Sequence, residues 1–279
     1  MKKIPPLAAP AHTPLTRARL HDLEVCERRY WLRSVARIRW PVAPPRPEVE
    51  ESVERGRQFH QLMRRHFLGL EPDRTELPAR LAEWWAAWLN HPIPLPPGQR
   101  FPEITLSVPL GRQRLLARFD LLVLASQPDG QALILDWKTE ARPRSRKRLA
   151  ADIQTHLYPY VLAEGSAALA GGQPPVADGE RPVRPARIEM IYWQANDPAN
   201  PVRFRYSAEQ HAANRARFQL LADRAEALQP DHEPPAIDDL TICTHCGYRT
   251  YCGKNVSPAA ALEEVPEDET GWELALVKE

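Results

Sequence analysis

The sequence lacks the features that mark membrane, secreted and disordered proteins. No stretch approaches the roughly 18 consecutive apolar residues of a membrane-spanning helix. The N-terminal segment contains two lysines but no continuous apolar run, so it does not resemble a signal peptide. Hydrophobic residues make up 43% of the 279 residues and charged residues 26%, which excludes disorder throughout. We therefore expect a globular protein of the cytoplasm. Its 30 prolines against 12 glycines indicate stiff, extended loops.

The sequence also has little net charge and no phosphate-binding loop. The formal charge is +1, but residues 257–279 contain seven acids and one base, which leaves 36 basic and 29 acidic residues in 1–256. A basic body with an acidic tail is typical of polyanion-binding proteins, although many unrelated proteins share it. No G-x-x-x-x-G-K-[ST] pattern occurs, so we expect no ATPase motor in this chain.

Hydrophobic periodicity predicts an α/β protein. Helical spacing precedes a series of strand-like runs, and a final long helix is followed by a cysteine-rich segment. We expect one domain over residues 15–256, with a disordered segment at 1–14 and an acidic tail at 257–279. Within it we predict a helical part at 15–100, an α/β core at 101–230 and a cysteine knuckle at 240–256. The predicted helices are 16–33, 48–68, 79–90, 149–164 and 208–228, and the predicted strands are 101–110, 114–125, 132–139, 187–193 and 202–206.

Charged residues interrupt two apolar strands that a turn at 128–130 would join as a hairpin. Asp120 lies in the run LLARFDLLVL, and Asp136 and Lys138 lie in ALILDWKT. A carboxylate buried without a partner is costly, and a divalent cation is one suitable partner. Lys138 shares a strand face with Asp136, so its ammonium group could orient an attacking water, or its neutral amine could deprotonate that water. The alternative is that these charges sit at strand ends and face solvent.

Four cysteines also suggest a metal. Cys243, Cys246 and Cys252 lie within ten residues, and Cys26 is remote in sequence. Clustered cysteines in a cytoplasmic protein favour metal binding over disulfides. Four thiolates suit a zinc ion or a [4Fe–4S] cluster, so both remain open, and His245 is a further possible zinc ligand.

Five short motifs follow one another along the chain. They are Gly56-x-x-x-His60, Glu103, Asp120, Asp136-Trp-Lys138 and Gln154-x-x-x-Tyr158. In this order they resemble the PD-(D/E)XK nucleases, in particular the RecB-like branch with the AddB nuclease domain and the CRISPR adaptation nucleases. Arg118, close to Asp120, departs from the glycine-containing approach common in relatives. The resemblance covers about residues 15–255 and implies a restriction-endonuclease-like mixed sheet flanked by helices, with an N-terminal helical insertion.

The resemblance implies a role for each motif. Asp120, Asp136 and Lys138 would be catalytic, and His60 would be a third ligand of Mn²⁺ or Mg²⁺, with imidazole favouring manganese. Glu103 would assist at the metal or simply begin a strand, and His60 could instead be an ordinary helix-surface histidine. The DNA-binding residues would be Gln154 and Tyr158 on one helix face together with the basic segment Arg142, Arg144, Arg146, Lys147 and Arg148, which could otherwise be a solvated loop.

The resemblance also favours iron over zinc at the cysteines. A remote Cys26 combined with a C-terminal triplet is the pattern of the iron–sulfur members, in which the cluster would hold the chain ends together. The implied function is a metal-dependent DNA nuclease, an exonuclease on single-stranded ends, in DNA repair, recombination or CRISPR adaptation, with a possible helicase or repair partner. The alternatives are a DNA-binding subunit that does not cleave and a zinc-bearing nucleic-acid adaptor.

Overall fold

A computed structural model describes residues 13–38, 47–70, 77–126, 130–169, 183–244 and 246–254. The predicted acidic tail, His245 and nearly all of the predicted disordered segment 1–14 lie outside these residues. So does most of the predicted turn at 128–130.

A five-stranded mixed sheet forms the centre of the molecule. Its strands follow chain order, with β3 and β4 parallel and the other neighbours antiparallel. β3 and β4 are buried at every position, as expected for strands covered on both faces. The predicted mixed sheet is thus confirmed. The strands are β1 Gly98–Leu110, β2 Gln113–Ala125, β3 Ala132–Lys138, β4 Ile188–Gln194 and β5 Val202–Arg205.

Helices cover both faces of this sheet. Three of the predicted helices are confirmed to within a residue at each end, and they correspond to α3, α4 and α7. A short helix that the sequence analysis did not predict carries Cys243. The helices are α1 Arg17–Val25, α2 Glu27–Tyr30, α3 Pro47–Phe67, α4 Ala79–Asn90, α5 Arg146–Ala151, α6 Ile153–Gly165, α7 Ala208–Ala227 and α8 Leu240–Thr244.

Two helices predicted to be continuous are broken, so the predictions of 16–33 and 149–164 were wrong in this respect. Cys26 adopts an extended conformation (φ −165°, ψ 107°) between α1 and α2, and a turn of π-helix follows at Trp31–Val35. Asp152 is extended between α5 and α6, where its carboxylate accepts a hydrogen bond from the backbone N–H of Gln154. An aspartate at this position ends one helix and caps the next.

Two hydrophobic clusters lie on opposite faces of the sheet. The larger packs α1, α6 and α7 against it, and the smaller packs α3 and α4. Trp84, Trp85 and Trp88 are each at most 4% exposed in the smaller cluster, which confirms packing rather than base stacking as their use. No helix in the described part of the chain is long and apolar enough to cross a membrane.

Candidate active site

The charged residues gather where β2 and β3 separate. The antiparallel register pairs Leu121 with Leu135, and one further step would pair Asp120 with Asp136, but the ladder ends before it. At the fork, the backbone N–H of Trp137 donates to Asp120 Oδ2 over 2.9 Å. The fork therefore fixes one carboxylate oxygen of Asp120 and leaves Oδ1 directed elsewhere.

Side chains of β2 point alternately to the two faces of the sheet, and this alternation is interrupted at the fork. Phe119 and Leu122 both belong to the larger cluster, whereas Leu121 belongs to the cluster under α3 and α4. Strict alternation would put Phe119 and Leu122 on opposite faces. Asp120 lies toward His60 of α3, and Glu103, between the β1 residues that pair with Leu121 and Phe119, has a positive φ of 55°. Such a backbone is costly for a residue with a Cβ, and it is often found at functional sites.

His60, Glu103 and Asp120 form a compact group of metal-binding side chains. His60 Nδ1 lies 3.4 Å from Asp120 Oδ1 and 4.0 Å from Glu103 Oε1. One ligand atom from each residue falls within 4.8 Å of the other two. Two carboxylates and an imidazole suit Mn²⁺ or Mg²⁺, so the residues present fit the divalent ion that the resemblance implies.

The backbone of Trp137 orients the His60 ring. His60 Nε2 lies 3.1 Å from the Trp137 carbonyl oxygen, which can only accept, so Nε2 carries the proton. In the neutral ring, which is the form that binds a metal, Nδ1 presents its lone pair toward Asp120 and Glu103. Metal-binding histidines commonly donate their other ring N–H to a carbonyl or carboxylate, which fixes the tautomer in this way.

Glu103 is held in the group by the arginine that departs from the family pattern. Arg118 Nε and Nη2 lie 2.8 and 2.6 Å from Glu103 Oε2. Burial, followed by the negative charge of Asp120, raises the pKa of Glu103 even though Arg118 and His60 oppose this. A bound divalent cation would offset the repulsion between the carboxylates of Glu103 and Asp120.

Asp136 and Lys138 form a second, more deeply buried group with Gln154 of α6. The three residues are at most 3% exposed. Lys138 Nζ lies 2.8 Å from Asp136 Oδ1 and donates to Gln154 Oε1 over 3.1 Å. The side-chain NH₂ group of Gln154 donates in turn to Asp136 Oδ2. Trp137 links the two groups, because it lies between Asp136 and Lys138 on β3 while its N–H and carbonyl bond to Asp120 and His60 of the first group.

The residues predicted to bind DNA fall into different environments. Gln154 lies inside the buried group, and Tyr158 is 7% exposed, with its ring 5.1 Å from that of Phe119. Their contacts with DNA stay a prediction.

The basic segment is more tightly built than a solvated loop. Arg144 Nη2 lies 2.5 Å from Glu140, and Nη1 lies 3.3 Å from Asp152. Arg146 donates to the Arg203 carbonyl and lies over the Phe204 ring. The exposed members of the predicted set are Arg142, Arg146, Lys147 and Arg148.

Sequence reasoning missed two residues that hold this region together. Gln194, 3% exposed at the end of β4, bonds to both the backbone N–H and the backbone carbonyl of Arg144. Asp152 caps α6 and pairs with Arg17 at 2.8 Å. Burial alone would raise the pKa of Asp152, but the charge and hydrogen bonds of Arg17 lower it well below its ordinary value. A polar residue directly after an apolar strand was the available signal for Gln194.

The four cysteines surround one cavity, which is also lined by Arg29, Leu32 and Arg249. All four are free thiols. A zinc ion about 2.3 Å from each of four sulfurs requires them to be about 3.8 Å apart. No three of these sulfurs, in the described part of the chain, lie within 4.8 Å of one another. Burial raises the pKa of Cys246 and Cys252, so without a metal these thiols stay protonated at neutral pH.

Comparison with known proteins gives one family and a set of distant structures. The PD-(D/E)XK nuclease superfamily model matches residues 14–253. The crystal structure of SSO0001 is 15% identical to this chain, with a TM-score of 0.38 over 85% of this chain and 86% of that one. The crystal structure of a "Putative exonuclease" from Eubacterium rectale is 10% identical, with a TM-score of 0.47 over 92% and 94%. No curated protein matches the sequence.

Proposed function

Because the chain belongs to the PD-(D/E)XK nuclease superfamily, we propose that it is a metal-dependent deoxyribonuclease that hydrolyses phosphodiester bonds. The observation that supports this most is the fork between β2 and β3. It brings a His60–Glu103–Asp120 group beside a buried Asp136–Lys138 pair. We assign the catalytic roles to Asp120, Asp136, Lys138 and Glu103.

In this proposal His60, Asp120 and Asp136 hold Mn²⁺ or Mg²⁺, and Glu103 supports the site from β1. A bound divalent ion supplies charge stabilisation and lowers the pKa of water. The residues of the chain orient the reactants. Lys138 is held by Asp136 and Gln154, one residue after Trp137, whose backbone bonds to Asp120 and His60. An ammonium group in a water-poor site stabilises the charge that develops on a phosphate.

We assign the cysteine cavity to a [4Fe–4S] cluster, which places the chain in the RecB-like iron–sulfur branch. One cavity joins Cys26 between α1 and α2 to the three cysteines of α8 and the segment after it, and a remote cysteine with a C-terminal triplet is the pattern that favours iron over zinc. Hydrolysis needs no electron transfer, so the cluster would be structural, and residues 15–256 would fold as one unit around it. Iron, sulfide and zinc analysis of anaerobically purified protein tests this assignment. Four irons and four sulfides per chain would support it, and one zinc would overturn it.

In this proposal the protein acts in the cytoplasm as an exonuclease, and its substrate is DNA with single-stranded ends. The segment after β3 and the helix α5 carry exposed Arg142, Lys147 and Arg148. Their positive charges would neutralise backbone phosphates of the DNA. The chain would serve repair, recombination or CRISPR adaptation, together with a helicase or another partner.

The test is cleavage of end-labelled linear DNA, single-stranded and duplex, and of internally labelled circular DNA, with Mn²⁺, Mg²⁺ or EDTA. An exonuclease releases short labelled products from linear single strands and leaves circles intact. Cutting of circles would contradict the exonuclease assignment. The absence of metal-dependent cleavage by folded, iron-loaded protein would favour the alternative, a DNA-binding subunit that does not cleave.

A further inference from the structure

Arg118 lies beside the metal-binding group although it offers no metal ligand itself. It is on β2, two residues before Asp120, and its register partner on β1 is Thr105. Its Nε and Nη2 lie 2.8 and 2.6 Å from one oxygen of Glu103, Oε2. The contact therefore runs diagonally across the β1–β2 ladder, to the residue two places before the register partner of Arg118.

The two carboxylate oxygens of Glu103 have different surroundings. Arg118 contacts Oε2 twice, whereas Oε1 lies 4.0 Å from Nδ1 of His60. Two contacts from one rigid, planar guanidinium restrict the rotation of a carboxylate more than a single contact does. Arg118 thus occupies one oxygen and leaves the other on the side of His60.

The backbone around Glu103 makes such a restraint useful. The ladder pairs Pro102 with Leu121 and Ile104 with Phe119, and between these pairs Glu103 has a positive φ of 55°. The side chain of Arg118 is 36% exposed and that of Glu103 is 10% exposed. The ion pair therefore lies at the edge of the site, with the carboxylate on its inner side.

We infer that Arg118 is a positioning residue that raises the affinity of this site for Mn²⁺ or Mg²⁺, because it holds Oε2 of Glu103 and so presents Oε1 to the ion. Replacement of a residue that orients a metal ligand commonly weakens metal binding by about 10- to 100-fold. The inference rests on the proposed function, because it takes His60, Glu103 and Asp120 as part of the metal site.

Electrostatics alone predicts the opposite effect. A guanidinium group repels a divalent cation, so its removal should strengthen metal binding. Removal of a positioning residue should weaken metal binding, because Glu103 can then turn away from the ion. The sign of the change in affinity therefore distinguishes the two roles of Arg118.

The test is the dissociation constant of Mn²⁺ for the full chain without DNA, measured from the electron paramagnetic resonance signal of free Mn²⁺. Arg118→Met removes the charge and both contacts, and Arg118→Lys keeps the charge but loses the planar group that makes both contacts. Glu103→Gln and the double variant complete a double-mutant cycle. The control Arg114→Met removes an arginine of the same strand that bonds to Ser107, a residue without charge.

We expect Arg118→Met to weaken Mn²⁺ binding about tenfold and Arg118→Lys to weaken it about threefold. In the Glu103→Gln protein, Arg118→Met should leave Mn²⁺ binding unchanged or strengthen it, because no carboxylate remains to be positioned. Arg114→Met should bind Mn²⁺ as the wild type does. Thermal unfolding checks that each variant is folded, and Arg118→Lys decides the question if Arg118→Met is not.

Mn²⁺ binding by folded Arg118→Met and Arg118→Lys that equals or exceeds that of the wild type would overturn the inference and leave the proposed nuclease intact. An equal loss from Arg118→Met with and without Glu103→Gln would also overturn it, since the arginine would then act independently of that carboxylate. The expected cycle together with no cleavage of DNA in Mn²⁺ would support the positioning role and contradict the nuclease.

Discussion

His60, Glu103 and Asp120 come from three elements and lie within 4.8 Å of one another, although the sequence separates them by up to 60 residues. Their closeness places two carboxylates side by side in a partly buried setting, and the pKa of Glu103 rises as a result of burial and of Asp120. Without a cation this arrangement is unfavourable, which makes the group sensitive to metal.

Added Mn²⁺ should therefore stabilise the wild-type protein, and Glu103→Gln should reduce this effect. A ligand at 100 times its dissociation constant adds about 2.7 kcal/mol to the free energy of unfolding. Glu103→Gln removes one negative charge and its repulsion of Asp120, so the metal-free variant should be at least as stable as the wild type. Urea unfolding with and without Mn²⁺ measures both effects.

The matched control for Glu103 is Glu83→Gln on the exposed side of α4. This variant should respond to Mn²⁺ as the wild type does. Equal stabilisation of the Glu103→Gln protein by Mn²⁺ would exclude Glu103 from the metal site.

Among the helices, the α5–α6 junction is held by a helix cap and two ion pairs of a single aspartate. Asp152 caps α6 and pairs with Arg17 of α1 and with Arg144 of the basic segment. One carboxylate thus joins three parts of the chain and sets the direction of the helix that carries Gln154.

Asp152→Asn should lower the free energy of unfolding by about 1–3 kcal/mol at neutral pH, because a buried charge-assisted interaction is lost while the capping oxygen stays. The native state lowers the pKa of Asp152, so the unfolded chain binds this proton more readily. Its contribution is fully present well above the unfolded value near 3.8 and is lost progressively as the pH falls from there toward the much lower native pKa. Urea unfolding between pH 3 and 7 should show the difference between wild type and variant narrowing below about pH 4. A constant difference over that range would refute this role.

The basic segment offers a second comparison, between a buried and an exposed arginine. Arg144→Ala should lower the melting temperature, because it removes the ion-pair partner of Glu140 and one of the two arginines that pair with Asp152. Arg142→Ala should leave the melting temperature unchanged and weaken DNA binding instead. Thermal unfolding and the fluorescence anisotropy of labelled DNA, measured on both proteins, distinguish the roles. Identical behaviour of the two variants would show that the segment is not divided in this way.

At the scale of the whole molecule, the cysteine cavity joins the beginning and the end of the described chain. Cys26 lies between α1 and α2, and the other three cysteines lie at or after α8. Cys26→Ser should abolish cluster incorporation and expose residues 240–254 to proteolysis, because metal binding contributes directly to folding. Limited proteolysis and iron content measure these effects. A variant without iron that resists protease as the wild type does would contradict a structural cluster.

Much of this architecture could be predicted from local patterns. Periodicity located α3, α4, α7 and the sheet because amphipathic helices and buried strands leave regular signals. The breaks at Cys26 and Asp152 were missed because each lies inside an otherwise helical pattern and depends on tertiary partners. The interrupted alternation at Asp120 was invisible for a similar reason. It arises from the pairing of β1 and β2 and from the positive φ of Glu103, neither of which a period of two reveals.

The central claim is that the fork between β2 and β3 forms one metal-dependent hydrolytic site. The most direct measurement is the cleavage rate of single-stranded DNA by wild type, Asp120→Asn, Lys138→Ala and the exposed control Lys147→Ala, each with Mn²⁺ and with EDTA. We predict that cleavage requires Mn²⁺, falls by at least a hundredfold in Asp120→Asn and Lys138→Ala while both remain folded, and changes only a few-fold in Lys147→Ala. Undiminished cleavage by folded Asp120→Asn and Lys138→Ala would contradict the central claim.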